Sequence, residues 1–360
     1  MHRRTLAVAT ALVVAATLTL TGCTGTTAKP TGTGTPDPNA TVAIRLVLEP
    51  SSLDIRQQSG AALDQILIDN IYQGLVRRTP EQKIEPELAS AYEVSPDRLT
   101  YTFTLRDGVT FADGHKLTAD DVVWSLDQHR TQKGWVDSST LSRVKSVSAQ
   151  GQTITIALTE PDSQLLWNLS GRAGIILEKD DKVDYKTEAN GTGPFTLAGW
   201  KQGDSITFAR NDKYWGDKAK VKEVVFDYIP DNQAALNAAQ AGEVDVVTGF
   251  DANLKDQIQA DGDFRLVLGK STDKGTLAMN SHDRWLSDKR VRQAIRQAID
   301  HDAVVKALGA GQTMYGPIPA LDPGYEDLSS VAPYDPANAK KLLKEAGAEG
   351  ITLTLTIYNG

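Results

Sequence analysis

The sequence predicts an α/β protein in which mixed sheets are flanked by helices and the chain is divided into two lobes or domains. Segments with strand periodicity alternate with segments of helical periodicity instead of occupying separate halves of the chain. About 320 residues follow the N-terminal segments, which is more than one hydrophobic core usually serves. The chain has a single cysteine, so no internal disulfide can form and ordinary packing must stabilise the fold.

The N-terminus has the pattern of an export signal. Basic residues precede an apolar run at residues 6–20, which is too short to span a membrane comfortably. The run ends in the sequence LTGC at 20–23, which resembles the lipobox of bacterial lipoproteins. We therefore interpret residues 1–22 as a lipoprotein signal peptide and Cys23 as a lipidated residue; the alternative is an ordinary secretory signal with an incidental cysteine.

The segment after the signal is interpreted as a flexible tether. Residues 23–40 are rich in Thr, Gly and Pro and hold no large apolar side chain, so they cannot bury enough surface to fold. A lipid on Cys23 would anchor the protein to the outer, extracytoplasmic face of the cell membrane without a membrane span. The net charge of −8 argues against nucleic acid as a partner.

Strand predictions rest on alternation and on β-branched residues. The clearest case is Leu99 to Leu105, where apolar residues alternate with threonines, so that one face is buried and the other is wet. Further strands are predicted at 42–48, 153–158, 205–208, 221–228, 244–247 and 352–357.

Helix predictions rest on apolar spacing and on capping residues. Thr118, with Asp121 three residues later, has the pattern of a capping box. Asp231 is predicted to cap an alanine-rich helix that Gly242 ends, which with the flanking strands makes a βαβ-like unit. The other predicted helices cover the apolar repeat at 63–71 and begin near Ser287, Asp300 and Asp335.

A long ordered series of motifs then resembles one protein family. The stretch AYEVSPDRLTYTFTLRDGVTFADG at 91–114 is similar to the signature of the extracellular solute-binding proteins of family 5, the peptide, dipeptide and nickel uptake group. The rest agrees in order: LEPSSLD at 48–54, IYQGLV at 71–76, LTADDVVWSL at 117–126, GTGPFTLAGW at 191–200, RNDKYWG at 210–216, AGEVDVV at 241–247 and DKRVRQAIRQAIDHDAVV at 288–305.

The resemblance implies a periplasmic-binding-protein-like fold of type II with an extra domain, in which two hinged α/β lobes close on a ligand. Mapped onto this chain, the parts are lobe I at 41–58 and 172–270, the extra domain at 59–171, and the start of lobe II at 271–360. Gly191, Gly193 and Pro194 are predicted to be hinge or crossover residues with special backbone angles. Family members continue well beyond the position of Gly360, so the resemblance implies a truncated second lobe and a C-terminally incomplete sequence. A sheet left with only its first strand would expose unpaired groups, and we expect the 360-residue chain to fold poorly on its own.

The same resemblance suggests ligand-binding residues. Glu49, Ser51 and Ser52 lie in a loop after the first strand, and Glu49 and Ser51 could meet the backbone of a bound peptide; the alternative is a strand-to-helix turn capped by Asp54. Asn280 matches a family position where an asparagine pairs with a peptide group, and its alternative is a simple turn residue. Trp135, in a polar loop, could floor a pocket or pack within its own domain.

The implied function is the substrate-binding lipoprotein of an ABC importer, a monomer that captures a small solute such as a peptide and presents it to a membrane permease. The same fold could instead bind a metal chelate or an oligosaccharide, or act as a peptide-pheromone or signalling receptor that does not transport. An enzyme such as a cell-surface serine hydrolase is supported only by Ser-x-x-Lys patterns at 142–145 and 271–274, without their usual partner motifs. The histidines, at 2, 115, 129, 282 and 301, have no metal-ligand spacing, so we predict no catalytic residue, cofactor or metal site.

Overall fold

The fold is described from a computed structural model, which defines residues 37–356 except 268, 270–273, 310, 323 and 332. The strands are β1 Thr41–Leu46, β2 Val76–Arg78, β3 Ile84–Pro86, β4 Ala89–Val94, β5 Thr100–Leu105, β6 Val144–Gln150, β7 Thr153–Leu158, β8 Phe195–Lys201, β9 Ser205–Arg210, β10 Glu223–Tyr228 and β11 Val246–Val247. The α-helices are α1 Ala61–Leu67, α2 Ala119–Thr131, α3 Leu165–Leu169, α4 Asn232–Gln240, α5 Lys255–Ala260, α6 Lys289–Ala298, α7 His301–Leu308 and α8 Pro336–Glu345. Short 3₁₀ helices cover Ser138–Leu141, Arg172–Gly174 and Ala252–Leu254.

One sheet mixes parallel and antiparallel strands. Its order is β11-β1-β10-β9-β8, with β1 parallel to both β10 and β11 and the other pairs antiparallel. The chain passes from β10 through α4 to β11 and so crosses over β1, which confirms the predicted βαβ-like unit. Side chains from this sheet and from α1 bury together in what we call the five-strand core, which includes Leu46, Leu67, Tyr72, Phe208 and Phe226.

A second sheet is antiparallel throughout. Its order is β4-β5-β7-β6, and α2 packs against β6 and β7. The apolar residues of β5 point to one side, as their alternation predicts, and Phe103 is fully buried among them. We call this apolar cluster, which includes Leu88, Phe111, Val122 and Ile154, the four-strand core. The α/β class with mixed sheets and flanking helices is confirmed.

Most local predictions agree with these elements. Asp121 and Thr118 form the predicted capping box at α2, and Asp231, Asp300 and Asp335 cap α4, α7 and α8. The helix predicted near Ser287 begins one residue later than expected, because Asp288 accepts from the Arg290 amide and is its N-cap.

The strand predicted at 352–357 is wrong for its described part. Residues 352–356 have no strand conformation, and no described strand pairs with them. Alternation alone does not make a strand, because a strand needs a partner for its backbone groups. Ile357 lies outside the described residues.

The two glycines of the GTG segment make close backbone contacts instead of adopting unusual angles. Neither Gly191 nor Gly193 has a left-handed φ. A β-carbon on Gly191 would overlap the carbonyl oxygen of Ile71, and one on Gly193 would overlap that of Asn70. The predicted special angles are therefore wrong, and glycine is needed here because two stretches of main chain touch.

Helix α1, which our division places in the extra domain, packs into the five-strand core. No described helix combines the length and the apolar character that crossing a membrane requires.

Candidate functional site

The parallel strands β11, β1 and β10 end at the same edge of the five-stranded sheet. The loops at 47–58, 229–232 and 248–250 leave from that edge. In open α/β sheets, ligands bind outside the carboxyl ends of the parallel strands, because loops from neighbouring strands converge there. This edge is the candidate site.

A buried arginine ties these loops together. Arg45, near the end of β1, is 0% exposed. Its guanidinium donates to the carbonyl oxygens of Ile229 at 2.6 Å, Thr248 at 2.7 Å and Pro230 at 3.0 Å. Burial lowers the pKa of Arg45, and the Asp231 carboxylate opposes that shift. The guanidinium thus fixes the starts of both neighbouring loops relative to β1.

Our sequence interpretation did not single out Arg45. The available signal was a lone charged residue inside the apolar strand TVAIRL, since an arginine in a strand that is buried needs several acceptors. The pattern could not say where those acceptors lie, because they come from residues more than 180 positions away.

Glu49 is held by the turn between β8 and β9. Its Oε1 accepts from Trp200 Nε1 at 2.9 Å, and the Gly203 amide donates to Oε1 at 3.0 Å and Oε2 at 2.9 Å. Gly203 has a left-handed φ of 76°, which a glycine adopts without strain. Because a carboxylate oxygen has two lone pairs, Oε2 keeps acceptor capacity for a further donor.

The two serines of the loop at 47–58, which we call the Glu49 loop, form hydrogen bonds within that loop. Ser51 Oγ donates to Gln58 Oε1 at 2.9 Å, and Ser52 Oγ accepts from the Asp54 amide at 3.2 Å. Asp54 is buried and forms a bidentate ion pair with Arg56, in which Nε lies 2.7 Å from Oδ1 and Nη2 lies 2.9 Å from Oδ2. The loop is therefore an ordered turn organised by Asp54, on which the serine hydroxyls lie.

Trp135 lies against Arg56 and a buried histidine. The Arg56 guanidinium is 5.6 Å from the Trp135 ring centre and 3.9 Å from that of Tyr185. The Trp135 ring meets His129 edge-on, with ring centres 4.8 Å apart. Burial lowers the pKa of His129 to about 4. Trp135 is packed at the margin of the five-strand core and is linked to the Glu49 loop through Arg56.

Asn280 lies in an exposed turn. Its Oδ1 accepts from the His282 amide at 3.0 Å, and its carbonyl oxygen accepts from the Asp283 amide at 3.0 Å. Within the described part of the chain, no hydrogen bond joins Asn280 to the Glu49 loop. The structure thus groups Glu49, Ser51 and Ser52 on one loop, connects Trp135 to it and places Asn280 in a separate turn; their roles in binding stay predictions.

Other positions singled out from the sequence give less structural information. Cys23 and Ser271 lie outside the described residues. Ser142 and Lys145 are both exposed near the start of β6, and among the described residues no hydrogen bond joins them.

Comparison with known proteins identifies the family. The family model for bacterial extracellular solute-binding proteins, family 5 Middle, matches residues 83–360. The chain belongs to this family. The predicted family is therefore confirmed.

Family 5 relatives match most of this chain. The Dipeptide-binding protein of Escherichia coli strain K12 is 32% identical over 301 residues, which cover 74% of this chain and 56% of the relative. Protein XP55 of Streptomyces lividans is 31% identical over 295 residues, which cover 77% of this chain and 52% of the relative. The chain spans about half the length of these curated family 5 relatives.

A solved family 5 structure gives the same fold. The ABC transporter-associated periplasmic binding protein DppA from Helicobacter pylori, in complex with the peptide STSA, is similar with a TM-score of 0.72 and 28% identity. The match covers 86% of this chain and 66% of that one. The predicted periplasmic-binding-protein-like fold is confirmed.

Proposed function

We propose that this chain is the solute-binding part of an ABC importer and captures a small extracellular ligand, namely a peptide. The observation that carries the proposal is the Glu49 loop, which lies at the carboxyl edge of the parallel strands in a chain of family 5. Loops held by Arg45 provide a fixed wall for a ligand, and a preformed wall lowers the entropic cost of binding.

A peptide suits both the geometry and the relatives. The E. coli relative is named a dipeptide-binding protein, and the H. pylori structure holds the peptide STSA. The free capacity of Glu49 Oε2 would accept a peptide N–H, while the hydroxyls of Ser51 and Ser52 would offer further donors or acceptors. Asn280 and Trp135 would contribute an amide and an aromatic surface as the lobes close.

We further propose the division into lobe I at 41–58 and 172–270, an extra domain at 59–171 and a lobe II that starts at 271. Residues 1–22 would be cleaved, Cys23 would carry the lipid, and 23–40 would tether a monomer to the outer face of the cell membrane beside its permease. In membrane fractionation, the protein should be in the membrane pellet, and Cys23→Ser should release it. A Cys23→Ser variant that stays in the pellet would contradict the anchor.

Calorimetry with defined peptides tests the ligand. Purified protein, freed of carried ligand, is titrated with dipeptides and tetrapeptides, and saturable binding is expected. Glu49→Gln should weaken binding at least about 10-fold, which corresponds to about 1.4 kcal/mol. The matched control is Glu85→Gln on β3, an exposed carboxylate that pairs with Arg77, and it should bind as the parent does.

If no peptide binds and a metal chelate or an oligosaccharide binds instead, the peptide is rejected as the ligand, while the role as a component of an importer stands. Labelling by a serine-reactive probe that Ser142→Ala abolishes would reject the binding-protein proposal itself. Trp200→Phe separates two roles of Glu49, because it removes one of the two donors that fix the carboxylate, leaving the Gly203 amide and the carboxylate itself in place.

A further inference from the structure

Three side chains of metal-ligand type converge away from the Glu49 loop. Asp113, His115 and Glu178 each offer one ligand atom, and these atoms lie within 4.8 Å of one another. His115 Nδ1 is 2.7 Å from Asp113 Oδ2 and 3.0 Å from Glu178 Oε1. Among the described residues, this is the one place where three such side chains meet.

A tight turn brings two of the three candidate ligands, Asp113 and His115, close together. The Gly114 amide donates to the Phe111 carbonyl, and the Phe111 amide donates to that of His115. Gly114 has a left-handed φ of 101°, which places Asp113 and His115 on the same side of the turn. The His115 amide also donates to Asp113 Oδ1 at 3.0 Å, which leaves Oδ2 to face the imidazole.

A buried asparagine orients the third candidate ligand, Glu178. Asn190, 3% exposed, donates through Nδ2 to Glu178 Oε2 at 2.7 Å and to Asp181 Oδ2 at 3.2 Å. Its Oδ1 accepts from the Asp113 amide at 3.3 Å, so the same side chain touches both arms of the cluster. Hydrogen bonds of this kind hold ligand carboxylates in place around metal ions in proteins.

We propose that Asp113, His115 and Glu178 bind one divalent transition-metal ion of the zinc class, with water completing the coordination. Nδ1 of a protonated His115 carries a single hydrogen, yet it faces two carboxylate oxygens at hydrogen-bond distance. A divalent cation satisfies all three atoms at once, because zinc takes imidazole nitrogen at about 2.0–2.1 Å and carboxylate oxygen at about 2.0–2.2 Å. Two ligand atoms at these radii lie at most about 4.4 Å apart. A small adjustment of the exposed Asp113 and His115 side chains around the partly buried Glu178 therefore completes the site.

The ion would fasten the 111–115 turn to the segment that carries Glu178 and Asn190. These pieces of chain already meet through the Ala112 amide, which donates to the Gly191 carbonyl at 2.9 Å. The sequence predicted no metal site because its histidines lack metal-ligand spacing, whereas this cluster draws its third ligand from 63 positions beyond His115. The site does not involve the Glu49 loop, so it stands independently of the proposed peptide binding.

Titration of purified, tag-free, EDTA-treated protein with ZnCl₂ tests the proposal. One equivalent is expected to bind, and Co²⁺ used as a probe should give visible absorption bands of a protein-bound ion. Saturating Zn²⁺ should raise the melting temperature by a few degrees, on the order of 3 °C. His115→Gln and Glu178→Gln should each weaken Zn²⁺ binding at least about 10-fold and remove the thermal shift.

His115 suits this test because its side chain is 72% exposed, so its replacement leaves the core untouched. The matched control is His282→Gln, which changes an exposed histidine of the 280–283 turn and should bind Zn²⁺ as the parent does. The proposal is overturned if the parent shows no saturable binding, or if its Zn²⁺ affinity survives His115→Gln unchanged. Peptide titration of the same variants should be unaffected, which separates this result from the proposed function.

Discussion

The strand-bearing region from Thr41 to Val247 and the helical region from Ala252 to residue 356 are built very differently. All the strands found among the described residues lie in the first region, which holds both hydrophobic cores. The second has helices with good caps, but its buried apolar residues are small: Val291, Ala294, Ala339 and Ala348. Several of its larger apolar side chains are exposed, namely Val304, Leu308, Val331 and Leu355.

The difference shows that local signals and burial are separate requirements. Asp300 and Asp335 cap their helices as well as Asp231 does, yet their helices bury few side chains. A capped helix gains about 1 kcal/mol from its N-cap, whereas a large side chain gains its stability from the surface that it removes from water. We therefore expect substitutions in the two regions to have unequal costs.

The largest contrast should come from apolar side chains. Phe103→Ala in the four-strand core should cost about 4 kcal/mol, because it leaves a cavity at a fully buried position. Leu308→Ala on α7, where leucine is 66% exposed, should change stability by less than about 0.5 kcal/mol. Urea denaturation measures both. Equal losses would mean that the helical region buries Leu308 in solution.

A somewhat smaller difference in stability loss should separate the buried Arg45 from the half-exposed Arg77. Arg45→Met should cost roughly 3 kcal/mol, because it leaves several partly buried carbonyl groups, including those of Ile229 and Thr248, without their donor. The control Arg77→Met removes a half-exposed pair with Glu85 and should cost at most about 0.5 kcal/mol. If the two variants melt alike, the Arg45 guanidinium does not bind the loops as described.

The smallest contrast is one of pH dependence, and both groups belong to the strand-bearing region. Burial lowers the pKa of His129 from 6.5 to about 4, so the unfolded state binds a proton more tightly and stability falls as pH drops through that range. Burial, aided by the charge of Asp69, raises the pKa of Glu87 from 4.5 to about 7, so its contribution is present below pH 4.5 and is lost as pH rises through 7. Between pH 4.5 and 6.5 the two slopes oppose each other.

Single variants should expose each slope. From pH 4.5 to 6.5, His129→Phe should lose roughly 2 kcal/mol of stability, while Glu87→Gln should gain a similar amount and the parent should change little. Denaturation curves at the two pH values measure this. Identical pH profiles for the parent and both variants would contradict the burial of these side chains.

Much of the secondary structure could be predicted from the sequence because its signals are local. The Thr118–Asp121 capping box and the alternation of Thr153–Leu158 need only neighbouring residues, and both elements occur where predicted. The strand predicted at 352–357 was wrong in its described part, 352–356, because alternation does not specify a partner strand.

The candidate site was less predictable because its contacts span long stretches of sequence. Glu49 meets Trp200 across 151 positions, and Arg45 finds acceptors 184 and 203 positions away. The loop at 49–52 could be proposed from family resemblance. Its attachment to the β8–β9 turn and the convergence of Asp113, His115 and Glu178 required the folded chain.

The bare main-chain contacts of Gly191 and Gly193 with Ile71 and Asn70 have a consequence for how this protein can change over evolutionary time. Where side chains set the spacing between two segments, each substitution shifts that spacing a little. Here the closest contacts are with backbone carbonyl oxygens, so changes in the size of the surrounding side chains have little effect on the spacing. The side chains around this contact can thus vary while the 191–193 segment keeps its position against residues 70 and 71.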